Sequence, residues 1–341
     1  MNHTTPPFSR IGVVGAGSWG TALANLLAEK GFTVDLWVFE PEIAREITDR
    51  RENTVFLPGV ELSENLRPTN DLAQAAGAKD LVLVVVPSHV MREVGRRLAS
   101  IIGPDTIVVS ASKGIENQTH LTMSGVLAEV IPSLGADRLA VLSGPSFAKE
   151  VARKAPTVVT VACRDLTTAG SVQETFATPY FRVYTHTDVV GVELGGAVKN
   201  VIALAAGVID GLGLGLNTRA ALITRGLVEL QRLGAKMGAD PRTLAGISGV
   251  GDLILTCTGT LSRNHTVGKK IGEGLKLDAI LGEMRMVAEG VKTAKSVYNL
   301  SRKLGVEMPI CEEVYRILYE NAAPADALHR LMTRDLKSEL D

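Results

Sequence analysis

Residues 10–31 read RIGVVGAGSWGTALANLLAEKG. The stretch opens as a short apolar strand, turns on glycines and continues as a helix closed by Gly31. Gly15, Gly17 and Gly20 stand in G-x-G-x-x-G spacing. In that spacing the first glycine permits a tight turn and the second lets the backbone approach a pyrophosphate. The third lets the helix pack close to the strand. The free N–H groups and positive dipole end of the helix then suit phosphate. Three glycines alone are a weak signal. Here they follow the first strand, open a helix and precede a second strand, TVDLWVF at 33–39, and that order reads as a dinucleotide site.

The strands that follow extend the same plan. DLVLVVVP (80–87), DTIVVSASKG (105–114) and LAVLSGPS (139–146) are β-branched and apolar runs without alternation, as in strands covered on both faces. Strand–helix–strand alternation predicts a doubly wound, mostly parallel α/β sheet. TVVTVAC (157–163) and FRVYTHT (181–187) flank a helical segment and predict an extension of this sheet with one antiparallel strand. From residue 188 the strand signal stops, and helices are expected over 189–209, 217–234, 240–246, 262–274, 290–304 and 309–320. The division expected is a Rossmann unit over 10–187 and an all-helical unit over 188–335.

Composition narrows the class of function. The 341 residues carry 36 Lys plus Arg against 37 Asp plus Glu, with no long charged run. Nucleic acid is therefore not an expected partner. Cys163, Cys257 and Cys311 are odd in number and far apart, so neither a disulfide framework nor a metal site is expected. The polar start MNHTTPPFSR lacks the apolar core of a signal peptide, and the apolar stretch VIALAAGVI falls short of the ~20 residues of a membrane span. A cytoplasmic protein without membrane insertion is the expectation.

Ligands of open α/β sheets lie beyond the carboxyl ends of the strands. At those ends stand Phe39 and Glu40, then Ser88 and His89, then Lys113, then Gly144 and Ser146. Glu40 either accepts the ribose hydroxyls of NAD or is a solvated residue at a helix start; the sequence leaves both open. No basic residue follows before Arg45, which favours NAD over NADP on this feature alone. Lys113 would place a cation near the nicotinamide end, whereas His89 reads as a helix-start residue. In the helical half, ELGGAVKNVIALAAG (193–207) sets Lys199 on a face shared with Gly195, Gly196, Ile202 and Ala203. That face is built for close packing with the Rossmann unit, so the lysine is out of place unless it points into a cleft. Further on, Asp252 follows a glycine turn, and Ser262, Arg263 and Asn264 precede a helix. That triplet reads either as an oxyanion or phosphate cradle or as a plain N-cap with a solvated arginine.

With these residues assembled, the chain resembles the bacterial-type NAD(P)-dependent glycerol-3-phosphate dehydrogenases. GAGSWGTALA, VVVPSH, SKGIE, LSGPSFAKEVA, GVELGGAVKNVIALAAGVIDGLG, ALITRGLVEL, GVGDLILTCTGTLSRN and MPICEEVY look like family blocks in family order, over residues 11 to 320. The resemblance implies interconversion of dihydroxyacetone phosphate and sn-glycerol 3-phosphate with NAD(P)H, feeding phospholipid synthesis, in a homodimer. It implies that Lys199 is the proton-transfer group, with Asp252 its acidic partner and Lys113 shared by cofactor and substrate. It implies substrate contacts at Gly144, Ser146, Ser262, Arg263 and Asn264. Cofactor contacts are implied at Ser18, Trp19, Phe39, Ala148, Arg263, Val287 and Glu289. The position of Phe39 is often basic or His in relatives, and here it departs from that pattern. Rossmann-plus-helical dehydrogenases of hydroxy acids, thioesters or nucleotide sugars, and a dinucleotide sensor without turnover, are the competing readings.

Overall fold

The computed structural model describes residues 8–284 and 286–339, and all counts below refer to these. The expected absence of a leader concerns residues 1–7, which lie outside the described residues. Among those described, eight strands form one sheet. They are β1 (Arg10–Val14), β2 (Thr33–Trp37), β3 (Leu66–Thr69), β4 (Leu81–Val84), β5 (Ile107–Ser110), β6 (Leu139–Ser143), β7 (Thr157–Ala162) and β8 (Phe181–His186). Between them run α1 (Ser18–Glu29), α2 (Pro41–Arg50), α3 (Leu72–Ala76), α4 (Met91–Leu98), α5 (Met123–Val130), α6 (Ala148–Ala152) and α7 (Leu166–Phe176).

The strand order is β3-β2-β1-β4-β5-β6-β7-β8. The first six strands pair in parallel, in the doubly wound order that reverses between β1 and β4. Every residue of β4 and β6 is buried, because helices cover both faces. The expectation of one antiparallel strand needs correction. β7 pairs antiparallel with β6 and β8 pairs parallel with β7, so two strands run against the other six. The 11-residue α7 supplies the crossover that parallel pairing requires. β3 was also not anticipated. Its four residues LRPT bury only Leu66 fully and include Pro68, which an edge strand tolerates.

After β8 the chain is helical. It forms α8 (Val189–Gly211), α9 (Gly215–Lys236), α10 (Pro241–Leu244), a π-helical turn at Ile247–Gly251 and α11 (Asp252–Thr258). Then come α12 (Arg263–Gly272), α13 (Leu277–Gly282), α14 (Glu289–Leu304), α15 (Pro309–Tyr319) and α16 (Pro324–Met332). Of these, α11, α13 and α16 were not expected, since six to nine residues give too few turns for a helical period to stand out. α8 is long and apolar enough to cross a membrane by length and composition, which the sequence reading missed by counting only its uninterrupted run. It is instead almost wholly buried in protein. Asp188 caps it, accepting from Gly191 N at 2.8 Å, and its second oxygen accepts from Asp240 N at 2.8 Å.

Glycine pairs let α8 and α12 touch backbone to backbone. A Cβ at Gly207 would lie 2.1 Å from the His265 carbonyl oxygen, and one at Gly211 2.3 Å from that of Lys269. Reciprocally, a Cβ at Gly268 would lie 2.0 Å from the Leu204 carbonyl oxygen, and one at Gly272 2.4 Å from that of Val208. Each glycine costs about 0.5–1 kcal/mol of helix propensity, which the close packing offsets. Gly268→Ala should therefore destabilise the protein by about 2 kcal/mol or more, because the obstacle is backbone. Gly282→Ala, where a Cβ meets nothing within 4 Å, should stay within about 0.5 kcal/mol of wild type. Paired thermal and urea denaturation of the two variants checks this; equal stability would refute the backbone contact.

Candidate active site

The glycine turn between β1 and α1 separates three physical demands. Gly15 has φ +113°, and a Cβ there would lie 2.4 Å from the Val85 carbonyl oxygen. A Cβ at Gly20 would lie 1.9 Å from the Gly15 carbonyl oxygen. The protein itself therefore forbids side chains at both. At Gly17 a Cβ would meet no protein atom within 4 Å. The space beside Gly17 is open, at a helix start without a side-chain cap, and so fits a phosphate group. Ser18 Oγ donates to the Phe56 carbonyl at 2.5 Å and also lies 3.3 Å from Met286 Sδ, which ties the turn to the segment before α14. Trp19 packs against Phe181, with ring centroids 6.5 Å apart.

Phe39 is 72% exposed beyond β2, its ring edge-on to Trp37 at 6.0 Å. Glu40 is the N-cap of α2, yet its side chain makes no capping bond. The carboxylate is thus not consumed by the helix it begins. His89 is exposed in the turn after β4, with its pKa lowered by burial of the ring and by Lys292. It makes no contact with the lysines described next.

Those lysines meet at the junction of sheet and helices. Lys113, in the loop after β5, donates through Nζ to Asp252 Oδ2 at 2.7 Å and to the Gly144 carbonyl at 3.2 Å. Lys199 Nζ, from the middle of α8, donates to Asp252 Oδ1 and to Thr256 Oγ1, the latter at 2.9 Å. The Thr256 hydroxyl in turn donates to the Asp252 carbonyl at 2.6 Å. One carboxylate, 1% exposed, is shared by two ammonium groups from different halves of the chain. Burial lowers the Lys199 pKa from the ordinary lysine range; Asp252 opposes that shift and Lys113 adds to it. Ser146 Oγ donates to the Gly144 carbonyl at 2.9 Å, and Ala148 opens α6 just beyond.

The small residues around Lys199 serve different neighbours. Gly196 does admit the sheet: a Cβ there would lie 2.7 Å from Ser143 Oγ and 3.4 Å from Lys113 Cγ. Gly195 instead admits the π-turn, with the Ser248 carbonyl oxygen 2.2 Å away, and Ala203 lies in the helical core. The expectation that all three face the Rossmann unit is corrected accordingly. The π-turn had no sequence signal beyond its glycines.

Ser262 caps α12 through Oγ, accepting from His265 N at 3.2 Å. The Asn264 amide donates to Asn200 Oδ1 at 2.9 Å and accepts from Gly290 N at 2.9 Å. These two side chains hold α8, α12 and α14 together. Arg263 is exposed, and the protein around it lowers its pKa. It is not bonded to Lys113 or Lys199; its charged neighbour is Glu289. Glu289 accepts from Ser88 across the junction, and Val287 just before it is 38% exposed. Thr256 and Asn200 belong to this cluster but were not singled out from sequence. Thr256 stands four residues after Asp252, a spacing that becomes legible only once 252–258 is known to be helical. Cys257, behind Lys199, is buried and its thiol is pushed up to about 12, so it stays protonated.

Residues 10–169 match the model of the NAD-dependent glycerol-3-phosphate dehydrogenase N-terminus, and residues 188–329 that of its C-terminus. The chain is 60% identical over 330 residues to a glycerol-3-phosphate dehydrogenase (NAD(P)+) of Geobacter metallireducens, covering 97% of this chain and 98% of the relative. It is 58% identical over 335 residues to that of Syntrophobacter fumaroxidans, covering 98% of each. The crystal structure of glycerol-3-phosphate dehydrogenase from Coxiella burnetii superposes with a TM-score of 0.91 at 39% identity, over 95% of this chain and 98% of that one.

The shared carboxylate makes a prediction about charge. In Asp252→Asn the Lys199 amine loses the group that holds its proton, so its pKa should fall further below the free-lysine value of about 10.4. Competitive acylation across pH, read by mass spectrometry on the Lys199 peptide, measures it. An upward shift would contradict the geometry.

Proposed function

The chain belongs to the NAD-dependent glycerol-3-phosphate dehydrogenase family, and from that premise we propose how its residues divide the work. It is an oxidoreductase that interconverts dihydroxyacetone phosphate and sn-glycerol 3-phosphate with NAD(P)H. Residues 10–187 form the dinucleotide-binding unit and 188–335 the substrate unit. The observation that carries the assignment of roles is the single buried carboxylate of Asp252 bonded to both Lys199 and Lys113.

A dinucleotide held at the Gly15–Gly20 turn would supply the hydride chemistry in either direction. Reduction of a ketone then needs a proton on the nascent alkoxide oxygen, and Lys199 Nζ delivers it. In the reverse direction neutral Lys199 takes the hydroxyl proton, which its lowered pKa favours near neutrality. Asp252 and Thr256 orient the amine. Lys113 turns from Asp252 toward the substrate oxygen and polarises it. Arg263 and the free N–H groups at the start of α12 hold the phosphate, with Ser262 and Asn264 fixing that helix start. Gly144 and Ser146 border the carbon chain. Gly15, Gly17, Ser18, Trp19 and Gly20 hold the pyrophosphate end of the dinucleotide. Phe39, Ala148, Val287 and Glu289 line the rest, and the missing base beside Phe39 favours NAD over NADP. The chemistry assigned to these residues calls for no metal. The buried setting of α8 supports a protein that does not insert in membranes. Exposed Leu216 and Met332 on the helical half support a homodimer. A cytoplasmic supply of glycerol 3-phosphate to phospholipid synthesis completes the reading.

Lys199→Met should lower turnover by about 10²–10⁴-fold, since general acid–base catalysis contributes on that scale. Turnover within tenfold of wild type would remove the proton-transfer role. Arg263→Ala should raise the KM for dihydroxyacetone phosphate by about 10- to 100-fold, the worth of a charge-assisted bond. Non-phosphorylated dihydroxyacetone should lose far less; an equal loss would show that Arg263 does not read the phosphate.

A further inference from the structure

Glu289 begins α14, and Ala288 before it offers no side-chain cap. A carboxylate there is favoured by the helix dipole but free to swing. It is held instead from the other half of the molecule. Ser88 N donates to Glu289 Oε1 at 3.2 Å, and Ser88 Oγ donates to Oε2 at 2.5 Å. One residue thus fixes both oxygens and leaves further lone pairs free for a ligand hydroxyl or amide.

Ser88 is itself immobilised. It is 5% exposed and opens the 3-10 turn Ser88–Val90 after β4. Gly114, next to Lys113, leaves room for it: a Cβ at 114 would lie 2.5 Å from Ser88 Cβ. The same face of α14 continues the contact. Ser296 Oγ donates to the Ile115 carbonyl at 2.7 Å, and Asn117 Nδ2 donates to the Lys292 carbonyl at 3.4 Å. Residues 289, 292 and 296 lie on one side of the helix, docked on the loops that follow β4 and β5. Ser88 therefore stands where the Lys113 loop, the dinucleotide cleft and the substrate unit meet.

Resting on the reading that Glu289 contacts the dinucleotide, we propose that Ser88 is a positioning residue for cofactor binding. It holds the Glu289 carboxylate preformed across the junction, so binding engages both halves without first ordering the start of α14. Losing the Ser88 hydroxyl leaves the backbone N–H bond in place, so Ser88→Ala keeps the fold while freeing one carboxylate oxygen.

The test is a double-mutant cycle read by NADH fluorescence titration without substrate, using wild type, Ser88→Ala, Glu289→Ala and the double variant. Ser88→Ala should weaken NADH binding about tenfold, the cost of ordering one long side chain on binding. In steady state that loss should fall on the KM for NADH more than on kcat. The double variant should bind no more weakly than Glu289→Ala alone, since Ser88 acts only through Glu289. Wild-type affinity in Ser88→Ala, or losses that add, would overturn the proposal while a weakened Glu289→Ala leaves the cofactor role of Glu289 standing. Wild-type affinity in Glu289→Ala would overturn both.

Discussion

Two ammonium groups share one buried carboxylate, and much of the molecule is arranged around that fact. Asp252 is 1% exposed and Lys199 6%. Breaking a buried pair by removing one partner typically costs about 3–5 kcal/mol, because the survivor is left charged and dry. The three groups therefore stand or fall together. They come from a loop after β5, the middle of α8 and the first turn of α11, so each must be brought to one point. Docking the helical half on the sheet is thus an electrostatic requirement as well as a packing one.

The packing follows from that requirement. For Lys199 to reach Asp252 and Lys113, α8 must lie against both the sheet end and the π-turn. Gly196 yields to Ser143 and Lys113, and Gly195 yields to Ser248. Farther along, Gly207 and Gly211 meet Gly268 and Gly272, which draws the start of α12 alongside the same helix. In the proposed division of roles, the phosphate-binding helix start is then positioned by the helix that carries Lys199. The Asn200–Asn264 bond at 2.9 Å locks the two, because Asn200 is the residue after Lys199. A three-carbon substrate needs a fixed span between its phosphate and its reacting oxygen, and under the proposed roles this bond would set it.

Legibility in the sequence tracked how local each signal was. The Rossmann turn could be read because Gly15, Gly17 and Gly20 act within one turn and their neighbours are strand and helix. Strands buried on both faces, such as β4 and β6, declared themselves by unbroken apolar runs. β3 did not, since an edge strand of four residues with a proline carries no such run. Lys199 could be seen as misplaced from periodicity alone. Its partners could not, because Asp252 is 53 residues away along the chain. The family resemblance named Lys113, Asp252 and Glu289, but not the Thr256 bond or the Ser88 contact, which depend on a short helix and a tertiary junction. Ser262 and Asn264 show a different limit. Periodicity placed them at a helix start, but their bonds to His265, Asn200 and Gly290 depend on contacts among three helices.

The site also contains a built-in opposition. Lys113, Lys199 and Asp252 together carry one net positive charge, and Arg263 adds another at the lip. That field would attract the proposed phosphorylated substrate. Burial, with Lys113 beside it, lowers the Lys199 pKa against the opposing pull of Asp252, as the proposed base role requires. A phosphate brought close to Lys199 would undo this: at ~7 Å and an effective dielectric near 20, each unit of negative charge is worth about 2 kcal/mol, more than one pK unit. The proposed placement of the anion on the first turn of α12, against Arg263 and not against the lysines, would separate attraction from activation. In that arrangement the carbon chain of the substrate would be the spacer between the group that is held and the group that reacts.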